Sequence, residues 1–312
     1  MRRALIETLV GLAERDRRVA LLTGDLGFTV VEPFAERFPD RFVNVGVAEQ
    51  NLVGLATGMA DAGLVPYTYS LASFTALRPY EFIRNGPVLH QLPVRLIGVG
   101  GGFDYGVQGP THHGLEDLGV LRLLPGLTVV APADTAQLVT AVEATAGLPG
   151  PVYLRVAKAD PPPVPGLDGR FRVGRAEVLP APGGPPDVVL IATGTAAGAA
   201  VAAADLLRAD GVSVSVVVAA SIAPAPVDDL IEALADAPLA VTVEAHHATG
   251  GLGSLVAEVI ADHGLGCRLV RQGVRLDPGG RVGSQAWFET EAGLTAEAVA
   301  AAARAHLGAG RG

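Results

Sequence analysis

The stretch from Arg41 to Ala60, RFVNVGVAEQNLVGLATGMA, constrains the fold most, because two kinds of secondary structure follow each other in it without a linker. Phe42 to Val47 is apolar and β-branched, as in a short strand that is broken at Gly46. From Ala48 onward, small and apolar residues recur at helical spacing. The stretch therefore predicts a strand that runs directly into a helix.

Glu49 stands in the first turn of that predicted helix and is the only charged residue between Arg41 and Asp61. Burying an ionised carboxylate is costly unless it is paired or protonated, so a functional role would explain its presence in so apolar a run. The alternative is an ordinary first-turn acid that faces water and is stabilised by the helix dipole. The same helix would carry a face of small residues that lets another backbone approach closely: Gly54, Gly58 and Ala62.

Length and charge exclude several classes of function. The 312 residues suggest two domains, and 49% apolar against 18% charged residues predicts well-packed cores. A net charge of −9 without a basic cluster argues against nucleic-acid binding. Cys267 is alone, which excludes a disulfide framework and a thiolate metal site. The N-terminus is too charged for a secretory signal, and the apolar window Val188 to Ala204 is interrupted by glycines, so we expect a cytoplasmic protein that binds no membrane.

The first half of the chain alternates apolar strands with helices. Val19 to Thr23 is an all-apolar strand that ends in Gly24, Asp25, Leu26 and Gly27, at the edge where α/β sheets bind ligands. Asp25 could equally be a turn residue. Further strands are predicted at Val65–Tyr69, Val94–Val99, Leu127–Val130 and Val152–Val156, and helices at residues 4–14, Leu77–His90, Glu116–Leu123 and from Asp134 to Ala146.

A glycine-rich loop, GVGGGFDYGVQG, follows the predicted strand Val94–Val99 and leads to His112. Glycine permits close approach of the backbone to a ligand, and an imidazole at the end of such a loop is a candidate acid or base. A surface-loop histidine is the alternative. Arg155 lies within an apolar strand, where it either pairs with an acid, which is usual, or presents an anion-binding fork at the end of the sheet.

Proline and glycine concentrate between residues 159 and 186, which predicts a linker region. A strand is expected within it, near Phe171 to Leu179. Strands and helices then alternate again, so residues 187–312 are predicted to form a second α/β domain after a first domain of residues 1–158.

Taken together, these stretches resemble the C-terminal two-thirds of a transketolase. The similar segments, in order, are TGDLG (23–27), FVNVGVAEQNLVGLATGMA (42–60), the segment from Phe74 to Arg84, GPTHHGLEDLGVLRLLPGLTVVAPAD (109–134), VYLRVAK (152–158), IATGT (191–195) and TVEAHHATGGLGS (242–254). The resemblance implies a pyrimidine-binding domain followed by a transketolase C-terminal domain.

That resemblance also implies thiamine diphosphate as cofactor, with Mg²⁺ or Ca²⁺. No segment resembles the diphosphate- and metal-binding domain, so the chain is expected to be one subunit of a split enzyme and to hold no metal itself. The expected partner is the N-terminal-section subunit, in an α2β2 assembly that self-associates through the pyrimidine and C-terminal domains.

The family's site residues can be placed on this sequence by its motifs. Glu49 matches the glutamate that bonds the aminopyrimidine and drives its tautomerisation, and His112 matches the histidine beside the reacting carbonyl. The resemblance gives further cofactor contacts to Asp25, Leu26, Phe74 and Arg78, and further substrate contacts to Arg2 or Arg3, Thr29, Gly100, Gln108 and Arg155.

Three of these positions depart from the family pattern. Gly100 stands where a typical transketolase has a substrate-binding histidine, and Gln108 stands where it has an acid that recognises an acceptor hydroxyl. Arg78 stands in the aromatic cluster around the pyrimidine, of which Phe74 remains. These changes predict that cofactor activation is intact and that the substrates are not the usual pentose phosphates.

Three other functions share some of these features. The β subunit of a 2-oxoacid dehydrogenase shares the domain order and the glutamate, and deoxyxylulose phosphate synthase also lacks the histidine at Gly100. A non-catalytic regulatory subunit is the third alternative. The GPTHHGLED segment and Arg155 favour transketolase, and the retained Glu49, Phe74 and His112 argue against an inactive copy.

Overall fold

Two sheets of mainly parallel strands organise the chain in a computed structural model, which describes residues 1–182, 184–275 and 279–307. The strands are β1 (Val19–Thr23), β2 (Phe42–Asn44), β3 (Val65–Leu71), β4 (Arg95–Val99), β5 (Thr128–Val130), β6 (Val152–Val156), β7 (Glu177–Leu179), β8 (Val188–Ala192), β9 (Val214–Val218), β10 (Ser221–Ala223), β11 (Leu239–His247) and β12 (Arg268–Val274). The helices are α1 (Arg2–Arg15), α2 (Glu32–Arg37), α3 (Glu49–Asp61), α4 (Ala72–Leu77), α5 (Tyr80–Ile83), α6 (Asp117–Leu121), α7 (Thr135–Ala146), α8 (Ala196–Ala209), α9 (Val227–Leu234), α10 (Leu252–Asp262), α11 (Gln285–Glu291) and α12 (Ala296–Leu307). The predicted end of the second domain, residues 308–312, lies outside the described residues.

The first sheet has the strand order β10-β5-β6-β4-β3-β1-β2, and only the β10–β5 pair is antiparallel among its described pairs. The second sheet has the order β12-β11-β8-β9-β7, with β7 antiparallel to β9. Strands β1, β4, β6 and β8 are buried along their whole length, as strands covered by helices on both faces must be. These features confirm the predicted α/β class.

The two halves of the chain are joined through β10. This short strand follows β9 of the second sheet, yet it pairs with β5 at the edge of the first. A strand of three residues is too short to show a periodic pattern, so β10 was not predicted from the sequence. Strand β12 and helix α11 were not predicted either.

The predicted helix Leu77–His90 is wrong as a single helix. It is divided into the end of α4, the short α5 and a π-helical turn over Arg84–Val88. Pro79 stands at the first break because proline has no N–H to donate to the preceding turn. The strand expected near Phe171 to Leu179 is reduced to β7, and β2 stops at Asn44, two residues before Gly46 turns with φ of 75°.

Helix α3 buries Glu49, Leu52, Val53, Ala56 and Ala60 against the first sheet. Its small-residue face, at Gly54, Gly58 and Ala62, is exposed. Apart from its chain neighbours and the backbone of its own helix, no described atom lies within 4 Å of the position that a Cβ on Gly58 would take. The close backbone approach expected for this face is therefore not made by the described part of this chain.

Strands β1, β3 and β4 are parallel, so their carboxyl ends meet at one edge of the first sheet. The turn from Gly24, helix α4 and the glycine-rich loop begin at this edge. Most of the predicted site residues lie on these segments. Among the described residues, no helix has the length and apolar character needed to cross a bilayer.

Candidate functional site

Glu49 is 2% exposed, so it is not the water-facing first-turn acid that was the alternative. It is the first residue of α3, with its side chain close to the ends of β1 and β3. Both carboxylate oxygens lie 2.9 Å from Nη1 of Arg78, and the Ser70 hydroxyl lies 3.5 Å from Oε1. The cost of burying the carboxylate is offset by this charged partner.

Arg78 contacts a second site residue at the same time. Its guanidinium carbon lies 3.6 Å from the centroid of the Phe74 ring, at stacking distance. Phe74 is half-buried on α4, and Arg78 follows the last residue of that helix with 41% of its side chain exposed. The guanidinium thus covers the ring of Phe74 while its nitrogen bonds Glu49.

His112 completes a continuous set of contacts at this edge. Its ring centroid lies 5.1 Å from that of Phe74 in an edge-on arrangement, and its Nδ1 lies 2.9 Å from the Thr111 hydroxyl. We call Glu49, Phe74, Arg78 and His112 the edge cluster. It combines a buried acid, a flat apolar ring and an imidazole, which are the groups needed to orient a planar ligand and move a proton beside it.

Asp25 and Leu26 lie in the turn after β1, next to the edge cluster. Their neighbour Gly24 would place a Cβ 4.0 Å from Oε1 of Glu49. Asp25 has φ of 60° and exchanges two hydrogen bonds with the side-chain amide of Asn44. Leu26 is half-buried, and its carbonyl accepts a bond from the Thr23 hydroxyl. The turn is therefore held in one conformation by side chains of β1 and β2.

A second group of predicted residues lines a polar pocket of about 380 Å³ beside the N-terminal helix. Arg2, Arg3 and Thr29 meet there, and Lys158 adds a further cation; Glu7 and Asp160 also line it, and Asp160 is paired with the N-terminal amine of Met1. We call it the cationic pocket. Lys158 was not singled out from the sequence, because a lysine at the end of a strand has no distinguishing pattern. Its Nζ lies 4.6 Å from the ring centroid of Tyr105. The Tyr105 ring centroid in turn lies 6.5 Å from that of His112, so the pocket and the edge cluster adjoin.

Asp104, in the glycine-rich loop, bonds the chain just after β6, next to the cationic pocket. Its carboxylate accepts the backbone N–H of Lys158 at 2.8 Å. Burial raises the pKa of Asp104, and the Lys158 N–H and the Arg155 charge oppose that rise. The loop and the end of β6 are thus tied together at the point where the cationic pocket begins.

Gly100 is buried with φ of 78°, and a Cβ on it would lie 2.1 Å from Cε2 of Tyr105. The space beside this position is therefore filled by the tyrosine ring, which was not foreseen from the sequence. Gln108 is exposed at the end of a 3₁₀ turn, Gly106–Gln108. Within the described residues, no hydrogen bond joins its side chain to the edge cluster.

Arg155 is buried between the two halves of the chain. Its Nε lies 3.1 Å from the Asp117 carboxylate, and its Nη2 donates to the carbonyls of Gly114 and Ala245. The cavity at Arg155 is about 20 Å³, close to the space of one water molecule. Of the two alternatives for this arginine, the structure shows pairing with an acid; a role in binding phosphate stays a prediction.

Metal ligands are not grouped in this chain as the structure describes it. Over residues 1–182, 184–275 and 279–307, no three or more His, Cys, Asp or Glu side chains are arranged to hold a metal ion. The contacts of the edge cluster, a stacked face and a buried carboxylate, suit a planar organic group that donates hydrogen bonds.

Two family models match the chain. Residues 1–163 match the transketolase pyrimidine binding domain, and residues 174–299 match the transketolase C-terminal domain.

Relatives and a solved structure agree with these matches. An apulose-4-phosphate transketolase subunit of Actinobacillus succinogenes is 36% identical over 244 residues, which are 78% of each chain. The 6-deoxy-6-sulfo-D-fructose transketolase subunit SqwH of a Clostridium species is 31% identical over 97% of this chain and 93% of its own. A solved structure described as a split gene transketolase, inactive beta4 tetramer, superimposes with a TM-score of 0.87 at 35% identity, over 98% of this chain and 97% of the other.

Proposed function

The chain belongs to the transketolase family, and we propose that it is one subunit of a two-chain, thiamine diphosphate-dependent transketolase. The enzyme would move a two-carbon ketol unit from a ketose donor to an aldehyde acceptor. The observation that carries this proposal is the burial of the Glu49 carboxylate beside the flat ring of Phe74, with His112 in contact with that ring.

The edge cluster fits the aminopyrimidine part of the cofactor. The planar guanidinium of Arg78 already makes the two contacts that such a ring needs, a stack on Phe74 and hydrogen bonds to Glu49. The space between these residues therefore accepts a flat group that shares a proton with a carboxylate. Thiamine diphosphate, when bound, supplies a carbon nucleophile.

The chain's own residues would prepare the site for this chemistry. Glu49 would hold a proton at the ring nitrogen of the aminopyrimidine, and its burial keeps that proton shared with the ligand instead of with water. Phe74 would fix the plane of the ring, and Asp25 and Leu26 would line its side. His112 would move a proton at the reacting oxygen of the substrate.

A partner chain would supply the diphosphate site and its Mg²⁺ or Ca²⁺, and the expected assembly is α2β2. The exposed small-residue face of α3 supports a second chain packed against this helix, because Gly54, Gly58 and Ala62 leave room for close packing. The likeness to a solved split transketolase also supports a partner subunit.

The substrates would be specialised ketoses with an anionic end. The cationic pocket of Arg2, Arg3, Thr29 and Lys158 adjoins the edge cluster through Tyr105, which suits a donor that reaches from the reacting carbon to a phosphate or sulfonate. Two relatives are named for apulose 4-phosphate and for 6-deoxy-6-sulfo-D-fructose. The family resemblance puts Gly100 where a typical transketolase has a histidine, and the ring of Tyr105 fills the space beside it. Both features support substrates other than the usual pentose phosphates.

Ketol transfer by the chain co-expressed with its partner tests this proposal. We expect thiamine-dependent transfer from anionic ketoses, and a loss of several orders of magnitude in turnover for Glu49→Gln, because the amide keeps the shape but not the shared proton. Glu36→Gln, at an exposed glutamate of α2, is the matched control and should retain full activity. Unchanged turnover in Glu49→Gln would refute the catalytic role. Ordinary transketolase rates with xylulose 5-phosphate and ribose 5-phosphate would remove the claim of altered substrates.

A further inference from the structure

Arg78 occupies the space that the proposed function reserves for a cofactor ring. Its guanidinium is flat, lies 3.6 Å from the Phe74 centroid and places Nη1 at 2.9 Å from both oxygens of Glu49. A stacked ring would need the same distance from Phe74, and a ring nitrogen would need the same carboxylate. Two groups cannot both stack on the face of Phe74 that Arg78 covers, because each fills that face at van der Waals contact.

We propose that Arg78 is an internal occupant of the aminopyrimidine position, which the cofactor ring must displace. The inference rests on the proposed function, since it takes Glu49 and Phe74 as the cofactor-binding pair. In the free chain, Arg78 pairs a carboxylate that is 2% exposed and would otherwise be buried without a countercharge. The cofactor ring would then replace the contacts of Arg78 with Glu49 and Phe74, so part of its binding free energy is used to release the arginine.

The geometry around Arg78 permits this exchange without unfolding. The residue follows α4, precedes Pro79, and has 41% of its side chain exposed to solvent. Glu49 and Phe74, by contrast, are held by α3 and α4 against the sheet. Rotation of one long side chain therefore opens the slot while the acid and the ring keep their places.

The function expected of Arg78 from the family resemblance was a cofactor contact. Displacement gives it a different role in the unassembled chain, because it keeps the Glu49 carboxylate paired until the cofactor ring arrives. Removing the guanidinium should then tighten binding of an aminopyrimidine instead of weakening it. The two roles predict opposite signs for the same substitution.

Binding of 4-amino-2,5-dimethylpyrimidine to the isolated chain distinguishes the two roles. The dissociation constant is measured by calorimetry for wild type, Arg78→Ala and Arg84→Ala. Arg84 is exposed and bonds its neighbour Asn85, away from the edge cluster, so it is the matched control. We expect Arg78→Ala to bind the pyrimidine roughly ten- to hundredfold more tightly, the equivalent of one hydrogen bond to a charged group, and Arg84→Ala to bind like wild type.

Two further measurements keep the test decisive if Arg78→Ala folds poorly. Arg78→Lys retains a countercharge for Glu49 but not a flat group over Phe74, so it should fold and still bind the pyrimidine several times more tightly than wild type. Methylguanidinium should compete with the pyrimidine in Arg78→Ala and should not in Arg84→Ala. Equal or weaker pyrimidine binding in both Arg78 variants would overturn the inference. If the Arg78 variants bind the pyrimidine equally or more weakly but the wild-type complex transfers ketol units, the inference fails and the proposed function stands. If these variants bind the pyrimidine more tightly but the complex transfers no ketol unit, only the proposed function is refuted.

Discussion

Gly100→Ala should destabilise the chain through two separable effects. Gly100 has φ of 78°, a conformation that costs an L-residue about 1–2 kcal/mol. The new Cβ would also lie 2.1 Å from Cε2 and 2.3 Å from Cδ2 of Tyr105, closer than nonbonded carbon atoms approach. Inserting a methyl group into a filled space typically costs about 1–3 kcal/mol. We therefore expect a total loss of about 2–5 kcal/mol in the free energy of unfolding.

The Tyr105→Ala background separates the two effects. Without the tyrosine ring the overlap is gone, so Gly100→Ala should cost only the conformational part, about 1–2 kcal/mol. Urea unfolding followed by far-ultraviolet circular dichroism, at one protein concentration, gives all four free energies of the cycle. Gly198→Ala is the control and should be neutral or stabilising, because Gly198 is exposed in the first turn of α8 and no described atom outside its chain neighbours and its own helix backbone lies within 4 Å of its Cβ position.

A loss below about 1 kcal/mol, or the same loss with and without Tyr105, would refute this reasoning. The result bears on function, because the family resemblance implies that Gly100 stands where a typical transketolase has a substrate-binding histidine. If the tyrosine ring fills that place, a histidine introduced there must first displace Tyr105. Restoring the family residue alone should then not restore pentose phosphate specificity.

Three more perturbations test other parts of the structure. Arg155→Met should lower the stability of the isolated chain by about 3–5 kcal/mol in urea unfolding, because it leaves the buried Asp117 carboxylate with the Tyr153 hydroxyl but without a countercharge. A stable variant with only a raised KM for a phosphorylated donor would instead favour the phosphate role. The hydrogen bond to Glu116 raises the pKa of His247, and the same bond lowers the pKa of Glu116. Their pairing therefore stabilises the fold at pH values above the titration of Glu116 and below that of His247. The loss of melting temperature in His247→Gln should be largest at about pH 5–6.5 and should vanish at higher pH, where the imidazole loses its proton, and at lower pH, where Glu116 is protonated; a loss that is constant with pH would contradict the pairing. In the proposed two-chain complex, Lys158→Met should raise KM for a phosphorylated ketose about tenfold or more and leave KM for its unphosphorylated counterpart unchanged. Equal effects on both substrates would argue against an anion-binding role.

Local pattern was sufficient for most of the secondary structure. Apolar runs such as Val152 to Val156 form buried strands, and Asp134 accepts the Gln137 N–H at the start of α7, as the sequence predicted. Glycine and proline also marked breaks between elements, although the sequence analysis missed that Pro79 interrupts the predicted helix Leu77–His90. The family was recognisable because its motifs keep their order along nearly the whole chain.

Contacts between distant residues could not be read from the sequence. Glu49 meets Arg78 across 29 residues, and Arg2 meets Lys158 across 156 residues in the cationic pocket. Arg155 pairs with Asp117. Strand order and burial decide which charge lies within its reach, and the neighbours of Arg155 in the chain do not. Tyr105 beside Gly100 is a further case, since the sequence shows the glycine but not that the ring of Tyr105 packs against it.

By itself the sequence determined the α/β architecture, the isolated acid at the start of α3 and the family, because hydrophobic period, turn residues and motif order are properties of neighbouring positions. Only the tertiary structure decided that the acid is paired with a stacked arginine and that a cationic pocket lies next to it. Parallel strands bring their carboxyl ends together only once the sheet has formed, so the residues that meet at that edge are chosen by the strand order and not by the local sequence.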